Sequence, residues 1–172
     1  MKYAIIDTET TGLDPARSAI LELAIIVWED GRRAERFHTK IKPTDAELAL
    51  AQRRALEING YAARPQDWDD APTFVEVAPE IARLLDGCTP VGHNVQFDIG
   101  MLRANLKRHG FRGRVPYPAI DTITLVLEHL FPLGLERASL DSVREFLRWS
   151  SVGAHTAAKD AEDTLALFRL LW

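Results

Sequence analysis

A chain of 172 residues with 47% hydrophobic and 27% charged residues has the composition of a folded globular protein with a sizeable core, expected as one domain over residues 1–172. The longest strongly apolar run, Leu23 to Trp28, is too short to cross a bilayer, and no secretory signal pattern opens the chain. The single Cys88 excludes an internal disulfide framework, so a cytoplasmic location without a membrane partner is expected, and a formal net charge of −4 argues against holding nucleic acid by bulk electrostatics.

Tyr3 to Ile6 reads as a buried strand, and it runs into Asp7 and Glu9. Side chains two apart on a strand share a face, so these acids point the same way and repel each other unless a cation lies between them. Thr10, Thr11 and Gly12 then turn the chain and leave backbone N–H groups beside the acids, with Leu13 next to them. That arrangement suits a hard metal ion and a phosphate, although acids at a strand end also serve as turn starters, which is the reading for Asp14-Pro15.

Ile20 to Trp28 predicts a second strand, Glu29-Asp30-Gly31-Arg32 a hairpin turn, and Glu35 to Lys42 a third strand. Asp45 to Ile58 reads as one helix closed by Asn59-Gly60, and Tyr61 to Pro72 as a loop. A helix over Phe74 to Leu85 follows, with Val77, Ile81, Leu84 and Leu85 near helical spacing and Asp86-Gly87 as its stop. Cys88 reads as a small core thiol. Pro90 to Gly92 leads a short strand into His93-Asn94-Val95-Gln96-Phe97-Asp98, after which Ile99, Leu102 and Leu106 mark a helix ending at Gly110. Arg103, Lys107, Arg108, Arg112 and Arg114, with His109 and no acid among them, form a solvated helix face or, beside a metal centre, a phosphate track. Ile120-Asp121-Thr122 opens a helix to Phe131-Pro132, Ser139 caps another through Leu147, and the last runs from His155 or Thr156 to Leu171. Strands first and helices interleaved later predict an α/β fold with a mixed sheet.

Two further acids stand where they could complete the first pair. Asp98 lies at a strand–helix junction, and Asp160 lies on the last helix with His155 five residues earlier. If that helix packs on the first strand, both serve one cleft. Oxygen ligands without cysteine suit Mg²⁺ or Mn²⁺, and two such ions about 4 Å apart clamp the attacking and leaving oxygens of a phosphodiester displacement. A neutral histidine nearby takes the proton from the attacking water. Singly, each of these residues reads as a cap or a solvated group; the whole set carries the argument.

Asp7-Thr8-Glu9-Thr10-Thr11-Gly12, His93-Asn94-Val95-Gln96-Phe97-Asp98-Ile99-Gly100 and His155-Thr156-Ala157-Ala158-Lys159-Asp160-Ala161 resemble, in order, the motifs of the DEDDh group of 3′→5′ exonucleases in the ribonuclease H-like superfamily. The likeness is greatest to the proofreading subunits of bacterial DNA polymerase III, and Asp121-Thr122 and Ser139-Leu140-Asp141 extend it over nearly the whole chain. It implies a mixed five-stranded sheet with helices on both faces, and metal-dependent removal of nucleotides, as nucleoside 5′-monophosphates, from the 3′ end of single-stranded or frayed DNA. Asp7, Glu9 and Asp160 would hold one ion, Asp7 and Asp98 would serve a second, and His155 would be the general base. Thr8, Thr10, Thr11, Gly12 and Leu13 would receive the 3′-terminal nucleotide, Asn94 and Phe97 would line the next position, His93 would orient the strand end, and Asn59-Gly60-Tyr61 would form a lip over it.

The alternatives are trimming of RNA or short oligoribonucleotides, and a non-catalytic module that binds a polymerase or an RNA. No motif ligand is missing, which speaks against the module. Neither the P-loop nor the dinucleotide glycine signature is present. The printed sequence ends at Trp172, whereas the polymerase subunits carry a further segment that binds the polymerase. A polymerase partner, a homodimer, a free-standing nuclease and a truncated chain therefore all stay open as expectations.

Overall fold

The computed structural model describes residues 1–111 and 114–172, so Arg112 of the basic stretch lies outside the described residues. Strands β1 (Lys2–Thr10), β2 (Ile20–Glu29), β3 (Arg32–Lys40), β4 (Thr89–Gly92) and β5 (Ile120–Asp121) form one sheet in the order β3-β2-β1-β4-β5. β1 pairs antiparallel with β2 and parallel with β4, β2 pairs antiparallel with β3, and β4 pairs parallel with β5. Central β1 is therefore hydrogen-bonded on both edges, and Ile5 stands beside Ile26 on one side and Val91 on the other. The mixed five-stranded sheet expected from the sequence is what forms.

Seven α-helices, α1 (Asp45–Leu48), α2 (Arg53–Ile58), α3 (Phe74–Leu85), α4 (Val95–Arg108), α5 (Thr122–His129), α6 (Leu140–Leu147) and α7 (Ala157–Leu171), and two 3₁₀ helices, Pro65–Trp68 and Phe131–Leu133, complete the described chain. None of them is long and apolar enough to cross a membrane. Alternation along β1 divides the core, because successive side chains point to opposite faces. Ala4 and Ile6 pack with Ile81 and Leu84 of α3 and with Ile99 and Leu102 of α4. On the other face, Tyr3 and Ile5 pack with Ala157, Ala161, Leu165 and Phe168 of α7. The small side chains of Ala157 and Ala161 sit at the N-terminal end of α7, where they let the helix come close to the sheet. A third cluster joins α5, α6 and the outer side of α7 through Val126, Leu130, Val143 and Leu167.

Several expected boundaries move, each for a tertiary reason. β1 continues past Ile6 to Thr10, so both acids lie on the strand itself. The helix expected over Asp45 to Ile58 is broken into α1 and α2, because the Gln52 N–H donates to Thr11 O at 2.7 Å instead of continuing the helical ladder. Within the loop after α2, Trp68 is buried and its indole N–H donates to Leu21 O at 2.7 Å. Cys88 is buried with Sγ 3.2 Å from Leu84 O, and burial pushes its thiol up, away from reactivity.

The basic stretch is partly consumed by structure. Arg108 donates to Ser18 O at 3.1 Å and to Pro15 O at 3.0 Å, tying α4 to the turn after β1, and Arg103 reaches Val115 O at 3.4 Å. Lys107 and Arg114 are exposed. Of the two sheet edges, β3 is studded with exposed Arg32, Arg33, Arg36 and His38, with Arg33 and Arg36 paired to Glu162 of α7, whereas β5 is only two residues long.

Asp121, the last residue of β5, fixes where two helices begin. Its Oδ1 accepts from the N–H groups of Asn94 at 3.0 Å and Ile123 at 2.9 Å, and its Oδ2 accepts from Val95 N–H at 3.2 Å. One carboxylate thus satisfies orphan donors at the starts of both α4 and α5, with Asn94 held at φ 69 just before α4. Asp121→Ala is expected to lower stability by about 2 kcal/mol in urea unfolding, and Asp121→Asn by less, since caps are worth about 0.5–2 kcal/mol each. A midpoint equal to wild type for Asp121→Ala would contradict the double cap.

Candidate active site

Asp7 and Glu9 project from the same face of β1 toward α7, as the strand period requires. Asp160, in the first turn of α7, meets them: one carboxylate oxygen from each of the three residues lies within 4.8 Å of the others. The helix N-termini favour acids there, which suits Asp160 on α7 and Asp98 in the first turn of α4. Asp98 is buried and accepts from Thr8 Oγ1 at 2.7 Å; it repels Asp7 and Glu9 but is not one of the close trio. Opposite Glu9 in the β1–β2 register stands Glu22, itself buried and bonded at 2.7 Å to His38 Nε2. The sequence carried a signal for Glu22, the one charged residue within the apolar run of β2, but no motif pointed to it.

Electrostatics follow from this crowding. Burial first, then repulsion from Asp98, Asp160 and Glu9, raises the carboxyl of Asp7 well above the usual range. Burial, then Asp160, Glu22 and Asp98, pushes Glu9 up to about 8. Asp98 is pushed up to about 7 by burial, against the opposing hydrogen bond from Thr8. Asp160 is raised by burial and held back by the Arg144 guanidinium. Oxygen donors that resist sharing negative charge in a small volume are suited to a hard divalent cation, which would relieve the repulsion.

The turn after β1 is pinned from several sides. Thr10 Oγ1 donates to Gly12 O at 2.7 Å, Thr11 N–H donates to Ala19 O at 2.9 Å, and Thr11 Oγ1 accepts from Ala19 N–H at 2.9 Å. Thr10 O accepts from the buried Asn59 side chain at 3.0 Å, while Thr11 O takes the Gln52 N–H. A Cβ at Gly12 would fall 2.9 Å from Ser18 Oγ and 3.0 Å from Gln52 Cδ, so any larger residue there would have to displace these two side chains. Leu13, just beyond, is 71% exposed. A cleft of about 260 Å³ opens here, with Thr8, Glu9, Thr10 and Leu13 on one side, Phe97 of α4 on another, and Gln52, Arg54, Ala55 and Ile58 completing the wall. Those last four residues were not singled out from the sequence, because the break before α2 that presents them depends on contact with Thr11.

His155 lies one residue ahead of the Thr156 cap, at φ 63, and so precedes α7 instead of starting it. Its backbone N–H donates to Asp160 Oδ1 at 3.2 Å, and its Nε2 lies 3.5 Å from Asp141 Oδ2, with nearly half of the side chain exposed. Asn94 is exposed at the head of α4. In His93, Nδ1 is 2.9 Å from Thr122 Oγ1 and Nε2 is 2.6 Å from Ala138 O, so both ring nitrogens have partners inside the protein. Burial lowers its pKa. Arg144, also unforeseen, is fully buried and bonded to Asp141, Asp160 and Asp163.

The fold is shared with known nucleases. Escherichia coli exonuclease I, solved in complex with a dT13 oligonucleotide, superposes with a TM-score of 0.83 at 21% identity, over 98% of this chain and 40% of that one. A mixed sheet of this order, flanked by helices on both faces, is the ribonuclease H-like fold. Residues 4–168 match the RNase T profile, described as an exonuclease, and the chain belongs to that family. Among its relatives, DNA polymerase III subunit epsilon of Aquifex aeolicus is 30% identical over 167 residues, covering 96% of this chain and 78% of that protein. The 3′-5′ exonuclease DinG of Bacillus subtilis is 32% identical over 169 residues, 97% of this chain but only 17% of that longer protein.

Carboxyls whose pKa is raised by folding take up protons as the chain folds, so their contribution to stability is greatest at low pH and is lost as pH rises through about 7 for Asp98 and about 8 for Glu9. In a chelator, the melting temperature is therefore expected to fall between about pH 5.5 and about pH 8.5, the interval above the ordinary carboxyl range of about 4. Saturating Mn²⁺ should raise it most at the alkaline end. A chelated protein whose melting temperature climbs across that interval would contradict the crowding argument.

Proposed function

We propose that this chain is a 3′→5′ exonuclease that shortens DNA from its 3′ end, using two divalent cations, Mg²⁺ or Mn²⁺, and His155 as general base. The observation that carries this reading is the meeting of Asp7, Glu9 and Asp160 within 4.8 Å, beside the cleft at the end of β1, in a member of an exonuclease family. Asp7, Glu9 and Asp160 would hold one cation, and Asp7 with Asp98 the other. Bound there, the cations would lower the pKa of a water and stabilise the charge that develops on the departing oxygen.

The chain's own groups do the rest. The turn from Thr10 to Leu13 receives the terminal nucleotide, with backbone N–H groups near its 3′-OH and the exposed Leu13 against its base. Phe97 offers a face to the next base, and Asn94 stands at its edge. The imidazole of His155 takes the proton of the attacking water; its half-exposed ring can then release that proton to solvent. The phosphorus–oxygen bond to the penultimate 3′ oxygen breaks, so a nucleoside 5′-monophosphate leaves and a new 3′-OH remains. The relatives named as a DNA polymerase subunit and a 3′-5′ exonuclease, and a fold neighbour solved with a dT13 oligonucleotide, support DNA as the polymer.

Matched single-stranded DNA and RNA, each labelled at the 5′ end, test the reading directly. A ladder shortening from the 3′ end of DNA is expected with Mn²⁺ or Mg²⁺, and none with Asp7→Ala. Shortening of RNA alone would move the assignment to RNA trimming, and no shortening of either polymer despite binding would overturn the enzyme. His155→Ala should lower turnover about 10²- to 10⁴-fold, the usual weight of a general base, while stabilisation by Mn²⁺ is retained. Undiminished turnover in that variant would remove His155 from the mechanism.

A further inference from the structure

Arg144 occupies a position that an apolar residue would normally fill. Leu140, Val143, Arg144 and Leu147 fall at the core spacing of α6, and Arg144 is fully buried among them. A guanidinium taken out of water needs anionic partners, and stability alone is a weak reason to keep one, since apolar repacking often serves as well. Its three arms have different destinations. Nε donates to Asp163 Oδ2 at 2.7 Å, and Asp163 is also held by Lys159 Nζ at 2.5 and 2.7 Å. Nη2 donates to Asp160 Oδ1 at 2.6 Å, the oxygen that also accepts the His155 N–H. Nη1 donates to Asp141 Oδ1 at 2.7 Å, while the second oxygen of Asp141 lies 3.5 Å from the His155 ring.

Resting on the exonuclease reading above, we propose that Arg144 is the positioning residue that sets the acid Asp160 and the base His155 relative to each other. One arm commits Oδ1 of Asp160 to the protein, on the carboxylate that meets those of Asp7 and Glu9. A second arm fixes Asp141 beside the imidazole. The third anchors the guanidinium plane on α7 through Asp163. A planar fork can serve three carboxylates at once, which a lysine ammonium on a flexible stem cannot do in the same geometry.

The test compares wild type, Arg144→Lys and Asp141→Ala for folding by circular dichroism, for Mn²⁺ affinity from the metal-dependent shift in melting temperature, and for kcat and KM on single-stranded DNA. Arg144→Lys is expected to weaken Mn²⁺ binding and to lower kcat about 10- to 100-fold, the usual cost of losing a partner of a ligand, with KM changed little. Asp141 is exposed, so Asp141→Ala should fold even if Arg144→Lys does not; it should lower kcat about 10-fold with Mn²⁺ affinity unchanged. A folded Arg144→Lys with wild-type kcat and Mn²⁺ affinity, or an Asp141→Ala with wild-type kcat, would overturn the proposal. A wild-type protein that is neither stabilised by Mn²⁺ nor active would instead sink the exonuclease reading on which it rests.

Discussion

Mutual repulsion among crowded, half-buried carboxylates is the constraint to which the rest of this structure answers. Asp7 and Glu9 share a face because a strand repeats every second residue, and Asp160 and Asp98 arrive on helix N-termini that the core drives against the same strand. Left to itself, such a cluster opposes folding. The burial of Tyr3, Ile5, Ala157, Ala161 and Phe168 holds α7 in place despite it. The cost of assembling the site is thus met by apolar contacts elsewhere, and a bound cation would turn the same geometry from a liability into a source of stability.

Around that centre the cleft has two kinds of wall. One is built on the sheet, from β1 and the first turns of α4 and α7, and it has little freedom to move. The other is assembled from the turn after β1 and the short α2, joined by hydrogen bonds such as Gln52 N–H to Thr11 O and Asn59 to Thr10 O. Under the proposed function, chemistry would fall to the first wall and discrimination among polymer ends to the second. Exposed Leu13 and Ile58 on the second wall are free of the packing demands that fix Asp7 or Asp98.

The legibility of the site in the sequence follows the same division. Hydrophobic alternation and turn chemistry placed β2 and α3 closely and found β1 but not its extension to Thr10; α3, for instance, opens on the Thr73–Glu76 capping box and stops at Asp86, as local patterns indicate. The trio of Asp7, Glu9 and Asp160 was readable because motif spacing and strand period both pointed to it. What was not readable depends on partners far along the chain. The break between α1 and α2 is set by an acceptor at residue 11, the ties of His93 by Thr122 and Ala138, and the place of His155 ahead of its helix by a positive φ that no periodicity reveals. Arg144 lies between these cases, since its core position in α6 was visible in the spacing of Leu140, Val143 and Leu147 and only its partners were not.

The two edges of the sheet bear on how copies of this chain could meet. A free strand edge is a template for another strand, and proteins blunt it with charge or by keeping it short. Here β3 carries arginines along its length, two of them drawn toward Glu162, and β5 offers just two residues. Joining two copies by extending the sheet would set like charges beside one another at one edge and find almost no backbone to pair at the other. Self-association of this fold would have to run through helical faces and not through the sheet that carries Asp7 and Glu9.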